Sequence, residues 1–188
     1  MRKLVLVEFV SLDGVMQGLA NPDGDFPYPG WGRDYTVPPP RSEGTAPTTA
    51  YLFGRRTYEE MTGFWPSQPD DNPMAASLNH LPKYVVSNTL TDPSWTPTTV
   101  ISGDVPAAVA GLKAEGEGNI VVLGSGRLAR SLLTAGLVDG LTLFVHPVLL
   151  GTGTRLFGDL PNLERLRLQA VDTSELGTLL LSYAIGEG

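Results

Sequence analysis

Beyond residue 49 the chain alternates short apolar runs with segments that read as helices, and this alternation restricts the fold more than any other feature. The apolar runs are AYLF (50–53), KYVVS (83–87), TTVIS (98–102), NIVVLG (119–124) and a long run from Leu141 to Leu150. Between them lie GRRTYEEMTGF, a segment from Asn72-Pro73 to about Leu81, one opening at Asp104, and GRLARSLLTAG. Asn72 and Asp104 have N-cap chemistry, and Pro73 suits a first helical position. Thr57 and Glu60 have capping-box spacing, which predicts a helix start near Thr57. Val105, Ala108, Val109 and Leu112 share one helical face; Leu128, Leu132 and Leu133 share another. With KLVLVEFV (3–10) as a first buried strand, the pattern predicts an α/β fold with a mainly parallel sheet and helices on both faces. The runs 163–172 and 178–185 flank a Ser-Glu-Leu-Gly turn and read as an antiparallel hairpin, so the sheet is mixed. No fixed-period repeat is present, and 188 residues suit one domain, 1–188.

Composition narrows the function. Thirteen basic residues face 20 acidic ones, for a net charge of −7, which argues against a nucleic-acid partner. There is no cysteine, which removes thiolate metal sites, Cys nucleophiles and disulfides. Two histidines alone argue against a dedicated transition-metal site. No apolar run approaches a membrane span. The Met1-Arg2-Lys3 start is followed by an apolar run too short for a signal peptide and broken by Glu8, so the expectation is a cytoplasmic protein. Residues 17–48 are rich in Gly and Pro, and Pro38-Pro39-Pro40 stops any helix or central strand. A loop of this length is functional or disordered. Its aromatics Phe26, Tyr28, Trp31 and Tyr35 either close over a flat ligand, as a lid, or pack on the domain or a partner chain.

In open α/β sheets ligands gather at the carboxyl ends of strands, near a switch in strand order. That rule points to three turns. Gly54-Arg55-Arg56-Thr57 leads a strand into a helix, with a glycine for close approach, free helix N–H groups and two guanidiniums. Ser87-Asn88-Thr89 supplies short polar side chains. Gly124-Ser125-Gly126-Arg127 again leads strand into helix. Together they describe a cradle for a polyanion in an acidic chain. Gly124-x-Gly126-x-x-Ala129 fits the relaxed dinucleotide fingerprint, but it lies two-thirds along the chain, and Asp139 follows only 15 residues after Gly124. A Rossmann domain is rejected and phosphate binding is kept.

EFVSLDGVMQ (8–17), LFGRRTYEEM (52–61), KYVVSNTL (83–90), LGSGRLARSLLTAGLVD (123–139) and PVLLGTGTRLF (147–157) come in the order and spacing of a known family. Across nearly its whole length the chain resembles the reductase domain of riboflavin-biosynthesis deaminase–reductases, in its stand-alone form without the deaminase. The resemblance implies a dihydrofolate-reductase-like fold, NADPH as cofactor, and hydride transfer to a small heterocycle, a ribosylaminopyrimidine or a pterin-like compound. It places Arg55 and Thr57 at the 2′-phosphate and pyrophosphate, with Ser87 and Asn88 assisting. Gly54 and the Gly124, Ser125, Gly126 and Arg127 turn complete the cofactor site. Phe9, Ser11, Met16 and the Asp13-Gly14 turn would border nicotinamide and substrate, and Trp31 of the aromatic loop joins them. A homodimer built partly from the C-terminal strands is also implied.

The proton donor is open. Asp13 is the best-placed carboxylate, yet Asp-Gly is also an ordinary turn pair. Glu8, inside an apolar strand, is either buried with a raised pKa or at an edge facing solvent. His146 is either a general acid or a hydrogen-bonded structural group, and His80 reads as structural at a helix end. Gly151 and Gly153 border a pocket or simply turn the chain. Arg33 and Arg155 are candidates for a substrate phosphate. Two rival readings remain: a non-catalytic nucleotide- or pterin-binding protein, and a flavin-using oxidoreductase.

Overall fold

The structure is a computed structural model that describes residues 1–20, 24–38, 46–158, 160 and 163–186. Eight strands form one sheet: β1 (Lys3–Ser11), β2 (Thr48–Gly54), β3 (Lys83–Val86), β4 (Thr98–Ile101), β5 (Asn119–Leu123), β6 (Gly140–His146), β7 (Leu166–Thr173) and β8 (Leu179–Ile185). Their order is β4-β3-β2-β5-β1-β6-β8-β7. The first six are mutually parallel, and β8 and β7 add antiparallel to β6. This is the predicted mixed sheet with its terminal hairpin. The chain leaves the central β1 toward β2, β3 and β4, returns to insert β5 beside β1, and then crosses to β6. The switch point therefore lies around β1 and β5.

Both faces of β1 are covered, which is why Leu4 to Val10 are apolar except for Glu8. Leu4, Leu6, Glu8 and Val10 enter one layer. There α3 (Val105–Ala114) and α4 (Gly126–Thr134) contribute Val109, Leu128, Ala129, Leu132 and Leu133. Leu4 and Leu6 are wholly buried, and each such side chain contributes about 1.5–3 kcal/mol. Val7 and Phe9 face the opposite layer, where α1 (Arg55–Thr62) and α2 (Pro73–His80) bring Tyr58 and Leu78 against Phe53 and Trp95.

Local signals at α2 and α3 hold. The Asn72 side chain accepts from the Met74 and Ala75 N–H groups at 3.0 and 3.3 Å, and Asp104 accepts from Ala107 N–H at 3.0 Å. The capping box predicted at Thr57 does not form. The helix opens at Arg55 with Gly54 as an uncapped N-cap, and Glu60 instead pairs with Arg56 at 3.1 Å. The run Leu141–Leu150 ends as a strand at His146, because Pro147 has no N–H for the ladder and the Val148 N–H turns back to His146 C=O at 2.8 Å. Among the described residues no helix is long and apolar enough to cross a membrane.

Lys83 is an unanticipated structural group. It is 1 % exposed, and its ammonium donates to the carbonyls of Leu78, Asn79 and Leu81 at 2.8, 3.2 and 3.0 Å, closing the C-terminus of α2. The ammonium also lies 4.8 Å from the centre of the Trp95 ring. Nearby, an open groove of about 470 Å³ lies where β3 and β4 begin, lined by Pro66, Asp70, His80 and Trp95. It is at the edge of the sheet opposite the turns described next.

Candidate functional site

Because β1 to β6 are parallel, their carboxyl ends share one edge of the sheet. Adjacent strands β2 and β5 bring two of the predicted turns into contact. Gly54 N–H donates to Ser125 Oγ at 2.9 Å. A Cβ added at Gly124 would lie 3.3 Å from the Thr57 methyl group. Gly124 has φ +62° and Ser125 φ +69°. For serine this left-handed conformation costs roughly 1–2 kcal/mol, and the bond from Gly54 holds it in place. The result sets the start of α4 against the β2 turn, with Gly126 and Leu128 buried and Arg127 exposed. The N–H groups of Ser125, Gly126, Arg127 and Leu128 have no acceptor among the described residues. Arg127 is exposed in the first turn of α4, where a cation opposes the helix dipole unless an anion sits with it.

The third turn joins at the end of β3. Arg55 donates to Glu59 at 2.7 Å and to the hydroxyl of Thr89, which spans the gap between the β2 and β3 turns. Ser87 Oγ accepts from the N–H groups of Thr89 and Leu90 at 3.1 and 3.0 Å and so shapes its own turn. Asn88 accepts from Gly103 N–H at 3.4 Å. The cradle of unpaired N–H groups, missing Cβ atoms and guanidiniums fits a pyrophosphate at α4 and a further phosphate near Arg55.

On the other side of β5 lies the group that the resemblance puts by the substrate, and the structure divides it. Phe9 stacks on Phe144 with centroids 4.5 Å apart and lies 6.3 Å from the His146 ring. Trp31 meets that imidazole edge-on at 5.5 Å and Tyr35 meets it at 5.2 Å. Trp31 is fixed by its Nε1–H bond to Gln17 C=O at 2.7 Å, and the loop folds on itself through Gly30 N–H to Gly18 C=O at 2.7 Å. Phe26 is buried against Tyr28, with ring centres 5.9 Å apart. Phe26, Trp31 and Tyr35 therefore pack on the domain, while Tyr28 stays half exposed. Under them, Phe9, Leu19, Ala20, Gly32, Arg33, Val37 and His146 line a cavity of about 140 Å³. Met16 belongs to the other group: a Cβ on Gly126 would lie 2.3 Å from its sulfur, so it covers the start of α4. The loop carboxylate Glu43 lies outside the described residues.

Ser11 and Asp13 are occupied by the turn after β1. Ser11 Oγ donates to Asp13 Oδ1 at 2.7 Å and accepts from Val15 N–H at 2.9 Å. The Asp13 carboxylate also accepts from Leu150 N–H at 3.1 Å and Gly151 N–H at 2.9 Å, tying this turn to the segment after β6. The Ser11 hydroxyl, then these N–H groups, hold its pKa at about 2, so it carries no proton near neutrality. This geometry is that of a clamp. Arg155 serves the same turn, donating to Asp13 C=O at 3.0 Å.

Glu8 is buried, its Oε1 has no partner, and burial pushes its pKa up to about 8. It shares the layer of Leu6 and Val10, away from Phe9 and the aromatic cavity. Gly124 N–H donates to the neighbouring Val7 C=O at 3.2 Å, which places Glu8 behind the start of the α4 turn. His80 pairs with Asp70 at 3.1 Å, outside the site. Sequence reasoning named Tyr35 among the loop aromatics and Thr89 within the third turn, without a separate role for either, and did not select Thr178. Thr178 becomes visible only once the hairpin is placed beside β6.

Known proteins with related sequence or shape give the arrangement its context. The chain is 28% identical over 170 residues to the uncharacterized protein YwjB of Bacillus subtilis (strain 168), covering 89% of this chain and 90% of that one. A Shewanella sp. PV-4 protein provisionally assigned to riboflavin biosynthesis superposes with a TM-score of 0.72 at 21% identity, over 98% of this chain and 99% of its own. Dihydrofolate reductase of Enterococcus faecalis, solved with NADP(H), superposes with a TM-score of 0.58 at 16% identity, over 98% and 97% of the two chains. These likenesses place the fold among dihydrofolate-reductase-like sheets. The family model for the RibD C-terminal domain matches residues 2–181, and the chain belongs to that family.

Proposed function

We propose that this protein is an NADPH-dependent reductase that passes a hydride to a small flat heterocycle, a ribosylaminopyrimidine or a pterin-like ring. The observation that carries this reading is the joined pair of turns at β2 and β5. There a strained Ser125 and two glycines leave a row of N–H groups without acceptors among the described residues, beside Arg55 and Arg127. NADPH, when bound, supplies the hydride; the protein's task is to hold donor and acceptor in line and to keep water away. Gly54, Thr57, Gly124, Ser125, Gly126 and Arg127 hold the pyrophosphate. Arg55 holds the 2′-phosphate, with Thr89, Ser87 and Asn88 shaping that end. Met16 covers the α4 turn, and Phe9 and Trp31 wall the place of the substrate ring. Ser11 and Asp13 fix the turn between the two halves.

Family membership and the NADP(H) complex of the Enterococcus enzyme support the same reading. A second copy of the chain is assigned to the C-terminal hairpin, where the edge strand β7 leaves Leu166, Leu168 and Val171 exposed.

Cofactor preference tests the assignment. Arg55 is expected to favour NADPH over NADH, and Arg55→Ala to weaken NADPH binding about 10- to 100-fold while leaving NADH nearly unchanged. That range corresponds to about 1.5–3 kcal/mol for a charge-assisted contact. Fluorescence titration of the two nucleotides against both proteins measures it. Equal loss for both nucleotides would remove Arg55 from the 2′-phosphate.

A further inference from the structure

His146 stands where β6 ends, in register with Ser11 of β1, and it is 1 % exposed. Its Nδ1 lies 3.1 Å from Thr178 Oγ1, in the turn before β8. Its Nε2 is buried and has no partner. The ring also lines the cavity beside Phe9, while Trp31 and Tyr35 pack against the imidazole. A buried polar group without a partner costs about 1–3 kcal/mol, so an unpaired Nε2 beside a cavity asks what pairs with it.

Hydrogen-bond economy decides which kind of atom Nε2 presents. Burial lowers the His146 pKa, so the ring is neutral at pH 7 and one nitrogen carries the proton. Thr178 is fully buried, and its hydroxyl has no second partner among the described residues. If Nδ1–H donated to Thr178, the hydroxyl hydrogen and the Nε2 lone pair would both be stranded. If the Thr178 hydroxyl donates to Nδ1, a single donor remains unpaired, the Nε2–H. The second arrangement leaves fewer groups unsatisfied.

We infer that His146 is a substrate-contacting residue whose Nε2–H donates to an oxygen or nitrogen acceptor on the edge of a flat ring, and that Thr178 is the positioning residue that sets this tautomer. The inference rests on the proposed reductase only for the presence of a heterocyclic substrate. The cavity, about 140 Å³, is well below the roughly 300–1,000 Å³ of a site for a drug-sized ligand, so it takes one ring and not a nucleotide. Phe9, Leu19, Ala20 and Val37 supply the apolar walls, and Arg33 adds a cation to the lining. A ring bearing a carbonyl satisfies Nε2–H; a purely hydrocarbon ring of the same size does not, which makes His146 a determinant of specificity.

The test uses the full chain labelled with ¹⁵N-histidine, in which two imidazoles give signals, His80 being assigned through His80→Gln. The probe is 5,6-diaminouracil, added with and without NADPH, with tryptophan fluorescence as an independent measure of binding. The free protein is expected to show His146 as the Nε2–H tautomer, and saturating probe to move the Nε2–H resonance. Thr178→Val is expected to let the ring populate both tautomers and to weaken the probe about 10-fold while NADPH affinity stays unchanged. An Nδ1–H tautomer in the wild type overturns the inference. So does a probe that binds without moving the His146 signals, or a probe that does not bind at millimolar concentration. Loss of NADPH binding alone would sink the reductase reading, while the tautomer and probe results would still decide the role of His146.

Discussion

Gly124→Val is expected to raise the Kd for NADPH at least 100-fold, the larger of two effects that follow directly from the site. Two costs act together. At φ +62° a β-branched side chain is strained by more than the roughly 1–2 kcal/mol of an ordinary L-residue. Its Cβ would also stand 3.3 Å from the Thr57 methyl group, and the branches beyond it would fill the space between the β2 and β5 turns. A nucleotide would then lose both the close backbone approach and the aim of the α4 N–H groups, and a loss of about 2.8 kcal/mol is a 100-fold change. Gly111→Ala is the control. Gly111 lies within α3 with open space at its Cβ, so the change is expected to leave binding untouched and to stabilise the helix by about 0.5–1 kcal/mol. Titration of both variants beside wild type, with thermal melts, separates loss of the cradle from loss of the fold. Full NADPH affinity in folded Gly124→Val would move the nucleotide elsewhere.

Lys83→Met is expected to destabilise the protein by about 2–4 kcal/mol at pH 7, lowering Tm by roughly 5–15 °C. Methionine fills the same space, so the loss is not one of packing. It comes from three carbonyls at the end of α2 that lose their shared donor, together with the cation over Trp95. Burial pulls the pKa of Lys83 down to about 8, against about 10.4 in the unfolded chain. The unfolded chain thus holds more protons between those values, and the stability difference from Lys83→Met is expected to grow as pH rises through that window. Melts at pH 7 and pH 9.5 measure it. A loss under 1 kcal/mol would mean that water or a backbone shift replaces the ammonium.

The architecture was legible because its strongest signals are local. Apolar runs of strand length separated by capped helical segments leave a parallel sheet as the consistent reading, and the caps at Asn72 and Asp104 formed as their residue types dictate. The three turns at the strand ends could be read as one cradle because parallel strands put their carboxyl ends on a common edge. Two local readings did not hold. The Thr57 capping box gave way because Gly54 already opens the helix while its N–H is held by Ser125. β6 stopped at His146 because Pro147, inside the apolar run, has no N–H for the ladder. Lys83 looked like an ordinary strand residue, since nothing local says that the end of α2 passes over it. His146 was the hardest to judge. Its meaning depends on Thr178, 32 residues on, and on a loop whose aromatic order carries no periodic signal.

The central claim is that a nucleotide is held by the backbone of the α4 turn. It is tested most directly by following backbone amide resonances of ¹⁵N-labelled protein during titration with NADPH. The account predicts that the N–H signals of Ser125, Gly126 and Arg127 move most and saturate together with those of Gly54 and Arg55, while the amides around His80 and Asp70 stay still. Saturable NADPH binding that leaves the α4 turn unmoved, or no binding by the folded protein, would contradict it.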